Sequence, residues 1–278
     1  MNGELAQVIC LAAHGTKWLR DPSGPAPSLE GSSSTFRFVA SVHFHYEGGP
    51  GTTTGGEHNS VGGWLESLQR SEADRLWLTI PEARTVSAPA GHSVDEHTLA
   101  GFANAGRWAV LATGTTKKQP SKFATSTGEL WHATWTVGDR SAPDSRIWLV
   151  DYAALPAPDV PVVVPELDLA EEELRGALTD AHDLAVEQGL DNWAEWFEKA
   201  LVPDPEMPYH PDMLPSDWPR LAQQCAARAA QAWVFGGMGS WNDLYLPGPG
   251  AQERYRQVSR RLYSAVLGAL LAATNCPL

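Results

Sequence analysis

Apolar residues recur with helical spacing along the last third of the chain, and two helices account for the pattern. The first is predicted to begin at Ser216, whose hydroxyl can cap free N–H groups, with Pro219 in its first turn. Its apolar stripe consists of Leu221, Cys225, Ala229 and Trp233. The second helix is predicted over 251–273, with a stripe made of Tyr255, Val258, Leu262, Val266 and Leu270. The sequence therefore predicts an antiparallel helix pair.

A glycine-rich loop, residues 236–243, joins the two predicted helices. Its second half places a hydroxyl, an indole, an amide and a carboxylate side by side, in Ser240, Trp241, Asn242 and Asp243. Such a group could bind a small molecule or anchor a protein partner, since tryptophan is frequent at binding hot spots. In the alternative interpretation, Trp241 packs under the helix pair while Asn242 and Asp243 satisfy turn amides.

Helical patterning also covers residues 166–201. Asp168 and Glu171 have capping-box spacing, and the stripe that follows them consists of Leu174, Leu178, Ala181 and Ala185. A second short helix has an apolar face made of Trp193, Trp196, Phe197, Ala200 and Leu201. The proline-rich segment 202–219 is predicted to be a packed loop.

The first half of the chain is dominated by strand-like alternation. The best strand is 36–46, where Phe36, Phe38, Ala40, Val42, Phe44 and Tyr46 alternate onto one face. Further strands are predicted at 7–13, 76–80, 108–113, 130–137 and 147–152, the last two as a hairpin. Helices are predicted at 64–73 and 95–103. Four prolines, Pro156, Pro158, Pro161 and Pro165, indicate an extended connection to the helical part.

These patterns predict an α+β fold. Its N-terminal half is rich in mainly antiparallel strands with helical insertions, and its C-terminal half is all helical. We expect a β-rich domain over 1–155 and a helical domain over 166–278 that contains acidic helices, the proline-rich loop and the helix pair.

Composition narrows the protein class. The chain has 278 residues, of which 43% are hydrophobic, and this excludes a disordered chain. No apolar run reaches the length of a membrane span, about 20 residues, and we expect a cytoplasmic protein without a leader sequence or a membrane partner. The three cysteines have no close pair, which excludes zinc ribbons and thioredoxin-like centres.

The net charge of −13 is unevenly distributed. Residues 166–217 carry 15 acidic residues against Arg175 and Lys199, whereas residues 218–278 are net basic. Nucleic acid is therefore an unfavourable partner, because phosphate binding needs a basic surface. A basic protein partner fits this charge; an ordinary solvated face, partly neutralised by arginines of the last helix, is the alternative.

One strand carries a candidate metal site. His43 and His45 are two residues apart, so both imidazoles project to the same side. A third ligand would have to come from elsewhere in the chain, with His14, Glu47, His58, His92 and His97 as candidates. A His-x-His strand followed by Pro89-Ala90-Gly91-His92 resembles part of the cupin pattern, although the spacing to a following glutamate departs from it. A polar strand face turned to water explains the histidines without a metal.

Two functions from different classes follow. The first is a non-catalytic binding protein, of an immunity or complex-forming type, that uses the acidic helices against a basic protein partner. No cofactor is predicted for it. The alternative is an enzyme whose pocket lies at the His43 and His45 face, with a divalent metal as the possible cofactor, or beside Trp241. No complete catalytic motif is present, and the sequence predicts no oligomeric state.

Overall fold

The structure is a computed structural model that describes residues 1–46, 56–80, 96–114, 125–202 and 210–277, without the side chains of residues 125–127, 158, 159 and 161. In chain order the elements are α1 (Gly3–Arg20), α2 (Leu29–Ser32), β1 (Val39–Tyr46), α3 (Val61–Arg70), β2 (Ala73–Thr79), α4 (Glu96–Leu99), β3 (Ala109–Gly114), β4 (Thr125–Val137), β5 (Trp148–Pro161), α5 (Leu167–Glu187), α6 (Asp191–Leu201), α7 (Arg220–Gln231) and α8 (Ala251–Asn275). Strands and helices alternate in the first half and helices fill the second, so the predicted α+β class is confirmed.

The strands form one five-stranded sheet with the order β1-β5-β4-β3-β2. β1 runs parallel to β5, and the other neighbouring pairs are antiparallel. The mainly antiparallel sheet and the β4–β5 hairpin are therefore as predicted. The parallel β1–β5 pair joins strands that are far apart in the sequence.

The predicted strand at 7–13 is wrong, because these residues lie in the middle of α1. The helix contacts β2, β3, α3 and α8, so it is surrounded by the rest of the protein. Its consecutive residues 4–13 are all buried. A helix that is apolar on every side loses its 3.6-residue period, and a short apolar run then resembles a buried strand.

The predicted face of β1 is also partly wrong. The strand begins at Val39, and its register with β5 shifts between Val39 and Ser41. Val42 and Phe44 are buried as expected, but Phe38 precedes the strand and is 50% exposed. The irregularity interrupts the two-residue alternation of buried and exposed positions. The sequence pattern alone predicts that this alternation continues without a break.

Most of the proline-rich connection predicted around residue 160 is strand rather than linker, since β5 continues to Pro161. Among the described residues, β1 pairs with β5 only as far as Ala154, and from Pro156 onward β5 pairs with β4 alone. Prolines are tolerated where one edge of a strand is unpaired. One hydrophobic cluster includes Val150 of the sheet and Leu178 and Leu262 of the helices, so buried contacts cross the boundary predicted between the two domains.

The helix pair is confirmed, with corrected bounds for its first member. Trp218, just before α7, donates its indole N–H to Ala273 O near the end of α8 at 2.9 Å, and Trp233, just after α7, packs against Tyr263. The two helices are therefore antiparallel. The α7 helix begins at Arg220 rather than Ser216, because Pro219 occupies the cap position. The apolar stripe predicted for α8 is entirely buried.

The acidic helix α5 also has the predicted buried stripe, but not the predicted cap. Leu174, Leu178, Ala181 and Ala185 are fully buried. Glu166 is the cap residue and makes no side-chain capping bond, and Glu171 lies in the helix and pairs with Arg228. Spacing alone could not distinguish a capping carboxylate from one that a distant arginine binds.

β2 lies at one edge of the sheet, and side chains from α1 and α8 form hydrogen bonds with its backbone. Asn275 at the end of α8 accepts a hydrogen bond from Leu78 N at 2.9 Å and donates one to Leu78 O at 2.8 Å. The Thr16 hydroxyl does the same for the N and O atoms of Leu76. These contacts replace a neighbouring strand and cover an edge that could otherwise pair with another chain. None of the helices in the described ranges is long and apolar enough to cross a membrane.

Candidate functional site

His43 and His45 line a pocket on the face of the sheet opposite the main core. The pocket has a volume of about 350 Å³. β5 pairs in parallel with β1 and places Asp151 directly beside His43. The segment before α3 contributes Glu57 and Asn59 to the same pocket. Two imidazoles and two carboxylates therefore share one concave surface.

The His43 ring is held by a single side chain. Its Nδ1 lies 2.7 Å from Asn59 Oδ1. Asn59 immediately precedes Ser60, the cap of α3, whose hydroxyl accepts a hydrogen bond from Gly63 N. When the amide oxygen accepts a hydrogen bond from Nδ1–H, the neutral ring keeps its Nε2 lone pair as a base. An oriented imidazole of this kind can take part in proton transfer.

The described candidates for a third metal ligand lie elsewhere. His14 Nε2 is 3.1 Å from Asp212 O, and His97 is buried against Phe235. His58 pairs with Phe44, whose side chain enters the core. Glu47 and the segment 89–92 with His92 lie outside the described residues. Within the described ranges, no group of three or more His, Cys, Asp or Glu side chains could hold a metal ion.

The sequence offered one overlooked indication of this pocket. Asp151 is a lone charged residue within the apolar run 147–152, which marks it as facing away from the core. Its position beside His43 depends on the parallel pairing of strands that are distant in the chain. Glu57 and Asn59 reach the pocket through a loop and have no periodic signal.

Trp241, the central residue of the predicted binding loop, is fully buried. Its ring packs against Trp193 and Phe197 of α6 and against Tyr255 of α8. Its indole N–H donates to Ser259 Oγ at 2.8 Å. The side chain therefore joins α6 to α8 within the core and has no surface on which a partner could pack.

The three residues next to Trp241 have partners within the protein. Ser240 Oγ donates to Gly236 O at 3.1 Å and accepts from Asn242 N. The Asn242 amide donates to His97 O at 2.9 Å, and Asp243 accepts a hydrogen bond from Gly239 N. The positive φ of Gly239, 83°, favours glycine there. These contacts support the structural interpretation of the loop.

A second pocket, of about 410 Å³, lies where this loop begins. Phe235 and Gly236 form part of its wall together with Trp233. The start of α1, the turn after α4, and Trp135 of β4 and Trp148 of β5 form the rest. Gly101 in that turn lies against the Gly236 backbone, so closely that a Cβ atom on Gly101 would be 2.2 Å from Gly236 O. The loop thus shapes a pocket without contributing Trp241 to it.

Arginines of α7 and α8 neutralise one flank of α5. Arg261 forms ion pairs with Glu173, at 2.8 Å, and with Asp180. These exposed contacts lower the pKa of Glu173 through the hydrogen bond from Arg261. Arg254 pairs with Glu187 in the same way. The carboxylates on this flank are therefore engaged within the protein.

The outer surface of α5 and α6 keeps its charge. Asp168 and Glu172 of α5 and Asp191 and Glu198 of α6 are exposed and form no ion pair with any described residue. Two large apolar side chains stand on the same helices: Leu169, 60% exposed, and Val186, 56% exposed. Both lie on α5, near its opposite ends, and singly exposed apolar side chains are common on protein surfaces.

Comparison of the chain with protein-family models, with curated proteins and with solved structures finds no match.

Proposed function

We propose that the protein is a non-catalytic binding protein that contacts a basic protein partner through the outer surface of α5 and α6. The observation that carries this proposal is the division of the acidic residues on α5. Glu173 and Asp180 are bound by Arg261, whereas Asp168 and Glu172 are exposed and form no ion pair with any described residue. Unpaired carboxylates raise the local negative potential and speed the encounter with a basic surface.

In this proposal Leu169 adds an apolar contact to the electrostatic one. Leu169 lies beside Asp168 and one helical turn from Glu172, so an apolar group stands within the unpaired acids. Charges at the rim of an interface mainly set the association rate and the specificity, whereas buried apolar area stabilises the complex.

Charge reversal tests this surface. The double variant Asp168→Lys, Glu172→Lys should bind an octalysine peptide about tenfold more weakly than the unchanged protein at low salt. The difference should shrink at physiological salt, where the Debye length falls to about 8 Å. Fluorescence anisotropy of a labelled peptide measures both affinities.

The matched control carries the same charge change elsewhere. Asp21→Lys, Glu66→Lys reverses two exposed acids outside α5 and α6 that form no ion pair with any described residue. We expect it to weaken octalysine binding by less than about threefold, because net charge alone acts weakly at a distance in salt. Equal losses for the two double variants would contradict a localised surface and leave only a general effect of charge.

The oriented His43 favours a second candidate, an enzyme that uses acid–base chemistry. In this role His43 Nε2 would remove a proton from a water molecule in the pocket while Asn59 holds the opposite ring nitrogen at 2.7 Å. Asp151 would stabilise the imidazolium that forms. The chemistry that such a base supports is hydrolysis of a small activated ester or a related acyl compound.

p-Nitrophenyl acetate hydrolysis tests this candidate. His43→Gln should lower the rate above buffer by about a hundredfold. His45→Gln is the matched control, since His45 lines the same pocket without an orienting hydrogen bond from the described residues, and it should lower the rate much less. A rate that stays unchanged in His43→Gln removes the enzyme hypothesis for this pocket.

A further inference from the structure

The 410 Å³ pocket beside α1 has aromatic walls that face different directions. Trp135 and Trp148 meet at a centroid distance of 5.8 Å and an angle of 68°, and Trp233 and Phe235 meet at 5.7 Å and 89°. Trp135 and Trp233 are each 7% exposed and Trp148 is partly exposed, whereas Phe235 is fully buried. The electron-rich faces of such rings attract a cation placed among them.

A carboxylate lines the same pocket. Glu4, in the first turn of α1, is only 6% exposed, and its Oε1 accepts a hydrogen bond from Asn104 N at 2.8 Å. No Lys, Arg or His side chain among the described residues pairs with it. Burial raises its pKa above the ordinary value, and the hydrogen bond from Asn104 opposes that rise. A bound cation would offset the cost of burying the charged carboxylate.

The volume of the pocket, about 410 Å³, is adequate for such a molecule, because small-molecule sites span about 300–1,000 Å³.

From these contacts we infer that the pocket binds a small organic cation with an alkylated ammonium group, held by the rings of Trp135, Trp148 and Trp233 and by the carboxylate of Glu4. The rings supply cation–π attraction, and the carboxylate supplies the counter-charge. A neutral molecule of the same shape would keep the apolar contacts and lose both electrostatic ones. This site is independent of the proposed basic partner, because none of its lining residues lies in α5 or α6.

Calorimetric titration with choline, with 3,3-dimethylbutan-1-ol as its neutral isostere, tests the inference on the unmodified protein. Choline should bind at least about tenfold more tightly than the isostere. Equal affinity for the two compounds, or no choline binding at millimolar concentration, overturns the proposal. Because both arms use the unmodified chain, this result does not depend on the folding of any variant.

Two carboxylate variants then locate the charge. Glu4→Gln keeps the shape of the side chain and should weaken choline binding about tenfold, while leaving binding of the isostere unchanged. Glu129→Gln is the matched control, because burial also raises the pKa of Glu129 but this residue does not line the pocket. A loss of choline affinity in Glu129→Gln as large as that in Glu4→Gln would also overturn the assignment. The result of the octalysine measurement on α5 does not affect this assignment, and the choline result does not affect the proposed basic partner.

Discussion

Trp241→Ala should lower the free energy of unfolding by about 3–5 kcal/mol. The indole is fully buried and touches Trp193, Phe197 and Tyr255, so its removal leaves a large cavity between α6 and α8. Ser259 would lose the hydrogen bond from the indole. Denaturation by urea, followed by circular dichroism, measures the change.

Trp241→Phe separates the two contributions. Phenylalanine keeps an aromatic ring but lacks the N–H that donates to Ser259, and we expect a smaller loss, about 1–2 kcal/mol. The stability of Trp241→Ala also tests the binding hypothesis for this loop. If Trp241→Ala leaves stability within about 1 kcal/mol of the unmodified protein, the ring is not packed in the core and a direct binding role regains support.

Arg228→Met should lower the free energy of unfolding by about 3–5 kcal/mol. Arg228 is 8% exposed, pairs with Glu171 at 2.8 Å and donates to Ala200 O and Leu201 O at the end of α6. Its loss leaves the Glu171 carboxylate, itself largely covered, without a counter-ion, and leaves two carbonyls of α6 without a donor. Chemical denaturation again reports the change.

Two further variants serve as controls for the prediction on Arg228→Met. Arg261→Met removes exposed pairs with Glu173 and Asp180, and each such pair contributes about 0–1 kcal/mol because water screens it. Adding Glu171→Gln to Arg228→Met should recover part of the loss, since it removes the stranded charge. A double variant less stable than Arg228→Met would mean that the unpaired carboxylate is not the source of the cost.

Both predictions depend on contacts between distant parts of the chain. The sequence predicted some of the elements that make these contacts and not others. The helix α8 was predicted almost to its ends, because its first half has one buried and one exposed face and the apolar stripe continues at Val266 and Leu270. The hairpin of β4 and β5 was visible through a turn between two alternating segments. The buried stripe of α5 followed from the same argument.

The candidate sites were less accessible to such reasoning. His43 and His45 were identified from their two-residue spacing, but their neighbour Asp151 was not. The aromatic pocket was missed entirely, since Glu4, Trp135 and Trp233 come from three separate parts of the chain. Trp241 was proposed for binding on the chemistry of its neighbours, whereas burial is a property of what packs around it.

The local sequence of this protein determined its amphipathic helices, its hairpin and its α+β class, because each depends on periodicity within a few turns of chain. Tertiary structure decided the rest. Burial by other elements on every side of α1 conceals its helical period in an unbroken apolar run, and partners far away in sequence bind the acids on one flank of α5 while the others stay exposed. The physical reason is that burial and charge pairing are set by neighbours in space, and local periodicity carries no record of them.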